Sequence, residues 1–299
     1  MKRIAVIGAN SFIARNVIYV LNTAYSDVEL MLYDCGEKQL DGLNNYKQID
    51  VMSLEAVMEI DMNCDIIYMF VGKTGSKNGF DDYQTFVNIN EIALLNVLTA
   101  YRKQESAAKL IFPSTRLVYG HQNGAQTEAQ IGELKTIYAI NKYACELYLK
   151  QYHEVFGVKY CIFRICVPYG TLIANASSYG TAEFMISNAQ NKKEITIYGD
   201  GSQRRTLTYM GDLCRTLIMG ALDDRCCNDV YNIGGEDYRI CEMAQLIANR
   251  YDAKIKYIEW PELDLKIESG DTVFDDSKLR NMIGNTTKSK FVDWIKNMN

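Results

Sequence analysis

The sequence predicts an α/β chain in which a doubly wound parallel sheet, covered by helices on both faces, leads into a smaller C-terminal α/β domain. Three observations carry that expectation. Short β-type apolar runs alternate with helix-period stretches over roughly the first 170 residues, the pattern of βαβ units. A glycine turn at Gly8 separates the first apolar run from the first helical stretch. An aspartate, Asp34, then closes the second run.

In chain order, strands are expected at residues 3–7, 29–33, 46–49, 64–70, 109–112 and 160–165. Helices are expected between them, notably at 12–21, 87–102 and 137–155. After Gly170 the alternation loosens. A helix at 184–191 leads to a strand at 195–198 and the turn-rich Gly199-Asp200-Gly201-Ser202. A strand at 229–233, a helix at 241–250 and a charged C-terminal segment follow. The expected division is a nucleotide-binding domain over 1–168 and a mainly substrate-binding domain over 169–299. Part of the latter, about 205–234, is expected to cross back to the first domain.

Composition narrows the function classes. With 48% hydrophobic and 23% charged residues, the 299-residue chain reads as an ordinary globular protein. A formal net charge of -5, with no Lys/Arg block, argues against a nucleic-acid partner. No apolar run approaches the ~18 residues of a membrane helix, and the N-terminal run is too short for a signal peptide. The nine cysteines are odd in number and scattered through apolar segments, and Cys226-Cys227 is a bare pair. With only His121 and His153 beside them, no metal site is expected. Thiols used as small hydrophobes fit a reducing cytoplasm.

A dinucleotide is expected along the first strand ends. Gly8, Ser11, Phe12 and Ile13 stand where a phosphate-binding turn meets a helix N-terminus, whose free N–H groups suit a pyrophosphate. One glycine remains where three are usual. Ser11 puts a side chain where backbone would approach phosphate, and a plain strand–turn–helix is the alternative for this loop alone. Asp34 sits where a carboxylate accepts hydrogen bonds from the adenine-side ribose hydroxyls and repels a 2′-phosphate, favouring NAD over NADP. Asp50 and Val51, closing the third strand, are candidates to sit beside the adenine.

The chemistry is read from Tyr138 and Lys142, four residues apart on one face of a helix. A free phenol, with a pKa near ~10, is a poor base at neutral pH. An ammonium ~4 Å away at an effective dielectric of ~20 is worth about 4 kcal/mol and stabilises the phenolate, making it a general base. The spacing alone also fits two surface residues. Thr115, in the run Phe112-Pro113-Ser114-Thr115-Arg116-Leu117-Val118-Tyr119-Gly120, makes the difference. It ends the fifth strand, where ligands of such sheets bind.

At this point nearly the whole chain resembles the extended short-chain dehydrogenase/reductase superfamily, in particular its nucleotide-sugar epimerase/dehydratase branch, which carries a Rossmann-type NAD domain. Thr115, Tyr138 and Lys142 match that branch's catalytic hydroxyl, base and lysine, and the lysine is also implied to bond the nicotinamide ribose. Phe70, Val71 and Gly72 fall on its loop along the cofactor, and Asn88 on a cofactor-contacting asparagine. Cys166 lies in the segment 164–170 that passes the nicotinamide. The runs 197–205 and 209–213 resemble its substrate-domain signature, and 231–234 and 276–279 its late motifs. Arg205 is thereby implied to anchor the substrate pyrophosphate, with Thr115 and Tyr138 meeting the sugar.

Three departures stand out: Val167 replaces a pyrophosphate-contacting asparagine, Thr206 stands where aspartate is usual, and Glu91 where glycine is frequent. Relatives that eliminate water carry an Asp-Glu pair after the catalytic threonine; here those places are Arg116 and Leu117. The resemblance implies an NAD-dependent nucleotide-sugar epimerase, acting at C4 through a transient 4-keto intermediate, and a homodimer. A reductase of a nucleotide-linked 4-keto sugar using external NAD(P)H is the alternative, followed by a non-catalytic dinucleotide sensor.

Overall fold

Apolar runs too short for helices become strands here because each can bury both faces between helical layers. The computed structural model describes residues 1–120, 124–174, 176 and 180–298; His121 lies outside them. Its strands are β1 (Lys2–Ile7), β2 (Val28–Asp34), β3 (Tyr46–Gln48), β4 (Ile66–Met69), β5 (Lys109–Thr115), β6 (Lys159–Ile165), β7 (Val167–Tyr169), β8 (Ile195–Tyr198), β9 (Arg204–Tyr209), β10 (Asp229–Asn232), β11 (Glu236–Arg239) and β12 (Ile255–Ile258).

The main sheet has seven strands in the order β10-β6-β5-β4-β1-β2-β3. All of its pairings are parallel. The chain order reverses between β1 and β4, so the crevice at the C-terminal strand ends there is the natural ligand site. One face is covered by helices Phe12–Ala24 and Met210–Leu222 over a core that includes Ile4, Val6, Val17, Leu213 and Leu217. Helices Ala93–Lys103 and Ile137–Phe156 cover the other, over Ala5, Ile7, Leu94, Leu98 and Leu149.

β5 runs three residues beyond the expected 109–112, through Pro113 to Thr115. Pro113 lacks an N–H, yet it falls past the end of β4, whose pairing stops at Ile111. It is flanked only by β6, so no ladder donor is missed on the β4 side. The expected helix at 87–102 is interrupted: a π-helical turn over Asn88–Ile92 joins Tyr83–Val87 to Ala93–Lys103. Helix Ile137–Phe156 is bounded by strong signals. The Thr136 hydroxyl caps the Ala139 N–H at 3.0 Å, and Gly157 closes it in a left-handed conformation at φ 72°.

Beyond residue 166, a three-stranded sheet β11-β9-β7 and the pair β12-β8 form a second unit. Its core gathers Ile186, Ile195, Ile247 and Phe291. The chain returns to the large sheet at Met210, where helix Met210–Leu222 packs beside Phe12–Ala24 and β10 extends the edge next to β6. No helix among the described residues is long and apolar enough to cross a membrane.

Candidate active site

The candidate cofactor groove starts where β1 and β4 end side by side. Gly8 has φ 86°, and a Cβ there would lie 2.7 Å from the Val71 backbone nitrogen. Only glycine allows that approach. Ser11 is the N-cap of helix Phe12–Ala24, but its side chain makes no capping bond. Its hydroxyl is buried without a partner. A serine at this position ordinarily caps the helix; here the oxygen and the first-turn N–H groups are left for a ligand. That orphan donor beside a helix N-terminus fits a pyrophosphate.

Asp34 ends β2 with its carboxylate facing the same groove, accepting from the Asn10 N–H at 3.0 Å and the Gly36 N–H at 3.2 Å. Val51, Phe70, Val71 and Gly72 line this end together with Ile49 and Ile89. Asp50 does not: it is exposed and accepts from the Met52 N–H at 2.9 Å, holding its own turn. Phe12 packs against the core of the sheet, and Ile13 faces the cleft.

Asn88 also falls outside the groove, exposed on the π-helical turn. The buried asparagine is Asn90. Its Oδ1 accepts from the Lys73 N–H at 3.0 Å and its Nδ2 donates to the Lys73 carbonyl at 3.1 Å, fixing the 72–73 loop along the groove. The extra residue of a π-turn changes which side chain faces inward, and sequence register could not anticipate it. On the same turn Glu91 accepts from Asn141 Nδ2 and, at 2.9 Å, from the Tyr148 hydroxyl. The departure from glycine thus ties this turn to helix Ile137–Phe156.

Past Gly72 the groove reaches Thr115, Tyr138, Lys142, Cys166 and Pro168, which share one cleft with Ser11, Ile13 and Thr74. Lys142 is 4% exposed. It donates to the Pro113 carbonyl at 2.8 Å and lies 4.3 Å from the centroid of the Phe112 ring. Burial lowers its pKa from 10.5 to about 8, against the opposing pull of Cys145 and Glu146. Its ammonium is therefore desolvated and close to titrating at neutral pH. The buried Cys166 thiol is pushed up by desolvation and bonds the Thr272 carbonyl at 3.4 Å, so it is not primed as a nucleophile.

The helix carrying Tyr138 and Lys142 is clamped by a buried network. Glu146 accepts from the Ser114 hydroxyl at 2.5 Å and takes Arg164 bidentately, at 3.1 and 2.7 Å. Burial works against the Arg164 charge, but bonding to Glu146 wins and raises its pKa. Ser114 precedes Thr115 and Glu146 follows Lys142 by one turn, so one carboxylate links both halves of the candidate catalytic set.

A second cavity, of 290 Å³, opens beside the first, bounded by Arg116, Leu117, Thr181, Tyr198, Gln203, Arg205, Trp260, Glu268 and Ser269 among others. Arg205 is buried at the end of β9 nearest this cavity and ion-pairs with Glu268; its guanidinium also donates to the Arg204 carbonyl at 2.9 Å and to that of Gly270. Arg116 donates to the Ser269 hydroxyl at 2.6 Å. Tyr198 and Trp260 pack with ring centroids 5.2 Å apart. Thr206, on the departure from aspartate, donates to Asp237 on the paired strand at 2.7 Å, so the carboxylate comes from β11 instead. Glu268, Ser269 and Trp260 carried no sequence signal, standing more than fifty residues from Arg205 in plain contexts. Among the described residues no group of three His, Cys, Asp or Glu side chains gathers as a metal site, and all nine cysteines are free.

Comparison with known proteins adds four findings. The family model of the NAD dependent epimerase/dehydratase family matches residues 4–234. A putative UDP-glucose 4-epimerase of Methanocaldococcus jannaschii is 26% identical over 230 residues, covering 76% of this chain and 69% of that protein. A UDP-glucuronate 4-epimerase of Thermodesulfobacterium geofontis is 25% identical over 259 residues, covering 84% and 78%. Among solved structures, the UDP-glucose 4-epimerase of Thermus thermophilus in complex with NAD superposes with a TM-score of 0.85 at 21% identity, covering 98% of this chain and 96% of that one. At that identity the last likeness speaks for the fold.

Proposed function

Because the chain belongs to the NAD dependent epimerase/dehydratase family, and is an enzyme of that kind, we propose that it is an NAD-dependent nucleotide-sugar epimerase acting at C4 through a transient 4-keto intermediate. The observation that carries the reading is the shared cleft of Thr115, Tyr138 and Lys142, which adjoins the cavity of Arg116 and Arg205. A ligand reaching across both brings its sugar to the trio and its phosphates to the Arg205 side of the cavity.

NAD, when bound, supplies the hydride acceptor and donor. The turn at Gly8 and Ser11 would hold its pyrophosphate and Asp34 its adenine ribose, with Val51, Phe70, Val71 and Gly72 as the walls. Tyr138 removes the C4 hydroxyl proton, Thr115 orients that hydroxyl, and the Lys142 ammonium stabilises the phenolate and would bond the nicotinamide ribose. The 4-keto sugar then presents its opposite face and recovers the proton from Tyr138. Arg205 anchors the substrate pyrophosphate, its Glu268 partner holding the guanidinium in place beforehand.

The same reading excludes dehydration, since Arg116 and Leu117 offer no acid for a departing hydroxyl. It also holds that the enzyme works in the cytoplasm as a homodimer, which would cover exposed Ile140 and Leu147, two turns apart on one face of helix Ile137–Phe156. The test is incubation of the purified protein with UDP-hexoses and no added cofactor, followed by NMR. Interconversion of C4 epimers is expected, with no 4-keto-6-deoxy product. Turnover that requires added NAD(P)H, or a dehydrated product, contradicts the assignment.

A further inference from the structure

In the second cavity one guanidinium, that of Arg116, has no carboxylate within ion-pair distance among the described residues. Among the described residues, each arginine that is buried or half-buried has a carboxylate within ion-pair distance, with one exception. Arg3 meets Glu29 and Asp61, Arg15 meets Asp41, Arg164 meets Glu146, Arg205 meets Glu268 and Arg215 meets Asp212. Arg116 is half-buried and bonds only a neutral hydroxyl, that of Ser269 at 2.6 Å. Of the two acids that line this cavity, Glu268 is engaged by Arg205 and Asp264 by Lys77. A desolvated guanidinium without a counter-ion is unfavourable in an isolated protein. Burial and the neighbouring Arg205 charge lower its pKa from 12.5 to about 10, so the site holds the charge at a cost. Such an arrangement suits a ligand that brings the missing anion, which a planar guanidinium can take bidentately.

We propose that Arg116 receives a carboxylate on the substrate's sugar ring, so that the preferred substrates are nucleoside diphosphate uronic acids. The inference rests on the nucleotide-sugar reading above and names the substrate class of that site. Position separates the two anions such a substrate carries. Arg116 follows Thr115 directly, their Cα atoms about 3.8 Å apart, and Thr115 lines the cleft with Tyr138. On a hexuronate ring the carboxylate is borne by C5, the neighbour of the C4 on which that cleft acts. The pyrophosphate is attached through C1, across the ring. Of the substrate's two anions only the C5 carboxylate lies beside the carbon on which that cleft acts, so Arg116, which follows Thr115 and lines the adjoining cavity, is assigned to it and Arg205 to the phosphates.

The experiment is calorimetric titration of the NAD-loaded protein with UDP, UDP-glucose and UDP-glucuronate, for wild type, Arg116→Gln and Arg116→Lys, with NAD affinity checked in each variant as the measure of folding. Wild type is expected to bind UDP-glucuronate at least about ten-fold more tightly than UDP-glucose, or ~1.4 kcal/mol. Arg116→Gln should erase that gap while leaving UDP affinity within about two-fold, and Arg116→Lys should keep part of it. Equal binding of the two sugars by wild type overturns the proposal while leaving the nucleotide-sugar reading intact. So does an equal loss for UDP and UDP-glucuronate in Arg116→Gln, which would make the pyrophosphate the anion at Arg116. Failure of all three ligands to bind wild type overturns both readings.

Discussion

Along the groove at the strand ends of the main sheet, ligand-facing groups arise locally: Gly8 and Ser11 from one turn, Asp34 from one strand end, Val71 and Gly72 from one loop. In the neighbouring cavity Arg116, Arg205, Trp260 and Glu268 come from segments far apart in the chain and meet only after both units have packed. The groove works mainly through backbone and a single carboxylate. The cavity presents one guanidinium paired with a carboxylate, Arg205, and one that bonds a neutral hydroxyl, Arg116. On the proposed reading, cofactor recognition would survive considerable sequence change, whereas substrate recognition would depend on a few side chains whose partners are fixed by tertiary structure.

The largest expected effect lies where the two regions meet. Tyr138→Phe should cut turnover by about 10²–10⁴-fold, the range for lost general-base catalysis, while NAD affinity stays within a few-fold. A variant retaining more than about a tenth of the wild-type rate would place the base elsewhere. Next is the substrate cavity. Arg205→Ala should weaken UDP-sugar binding by roughly 1.5–3 kcal/mol, as for a hydrogen bond to a charged group, and leave NAD affinity alone. Part of that loss arises from the stranded Glu268. Arg204→Ala, at an exposed position, should do much less; equal small effects in calorimetry would remove Arg205 as the anchor.

The groove is expected to discriminate by about ten-fold or more, ~1.4 kcal/mol, for NAD over NADP, because Asp34 would face the 2′-phosphate. Fluorescence titration showing tighter NADP binding would break the assignment. The smallest effect concerns stability. Lys142 carries a folded-state pKa of about 8 against 10.5, so the cost of burying its charge is fully present below pH 8. Between those values the unfolded chain binds more protons, and wild-type stability rises with pH. Lys142→Met, though inactive, should therefore raise the stability of the cofactor-free protein by about 1–2 kcal/mol at pH 7 after losing the Pro113 bond. That gain should shrink toward pH 10.5 in thermal melts; a variant less stable than wild type at pH 7 would show the ammonium is not a burden.

Legibility in the sequence follows the same division. Alternating apolar runs, the Gly8 turn, Thr115 and the four-residue spacing of Tyr138 and Lys142 are local patterns, and they point to the seven-stranded sheet and its cleft. Asn90 was missed for Asn88 because the π-turn at Asn88–Ile92 alters the inward face without a composition signal. Asp50 resembled Asp34 as a strand-end acid, but its carboxylate is used within its own turn. Arg116 could be read only as the absence of an acid, since its lack of a counter-ion emerges once Glu268 is seen to pair with Arg205.

The central claim is that Thr115, Tyr138 and Lys142 carry out a reversible oxidation at C4 with the same hydrogen returned to the same sugar. A UDP-hexose or UDP-hexuronate deuterated at C4 tests it most directly, incubated with the purified protein in ordinary water without added cofactor. The account predicts a C4 epimer that keeps its deuterium, observed by NMR. Product formed with C4 deuterium lost to solvent, or formed only when NAD(P)H is added in stoichiometric amounts, would contradict it.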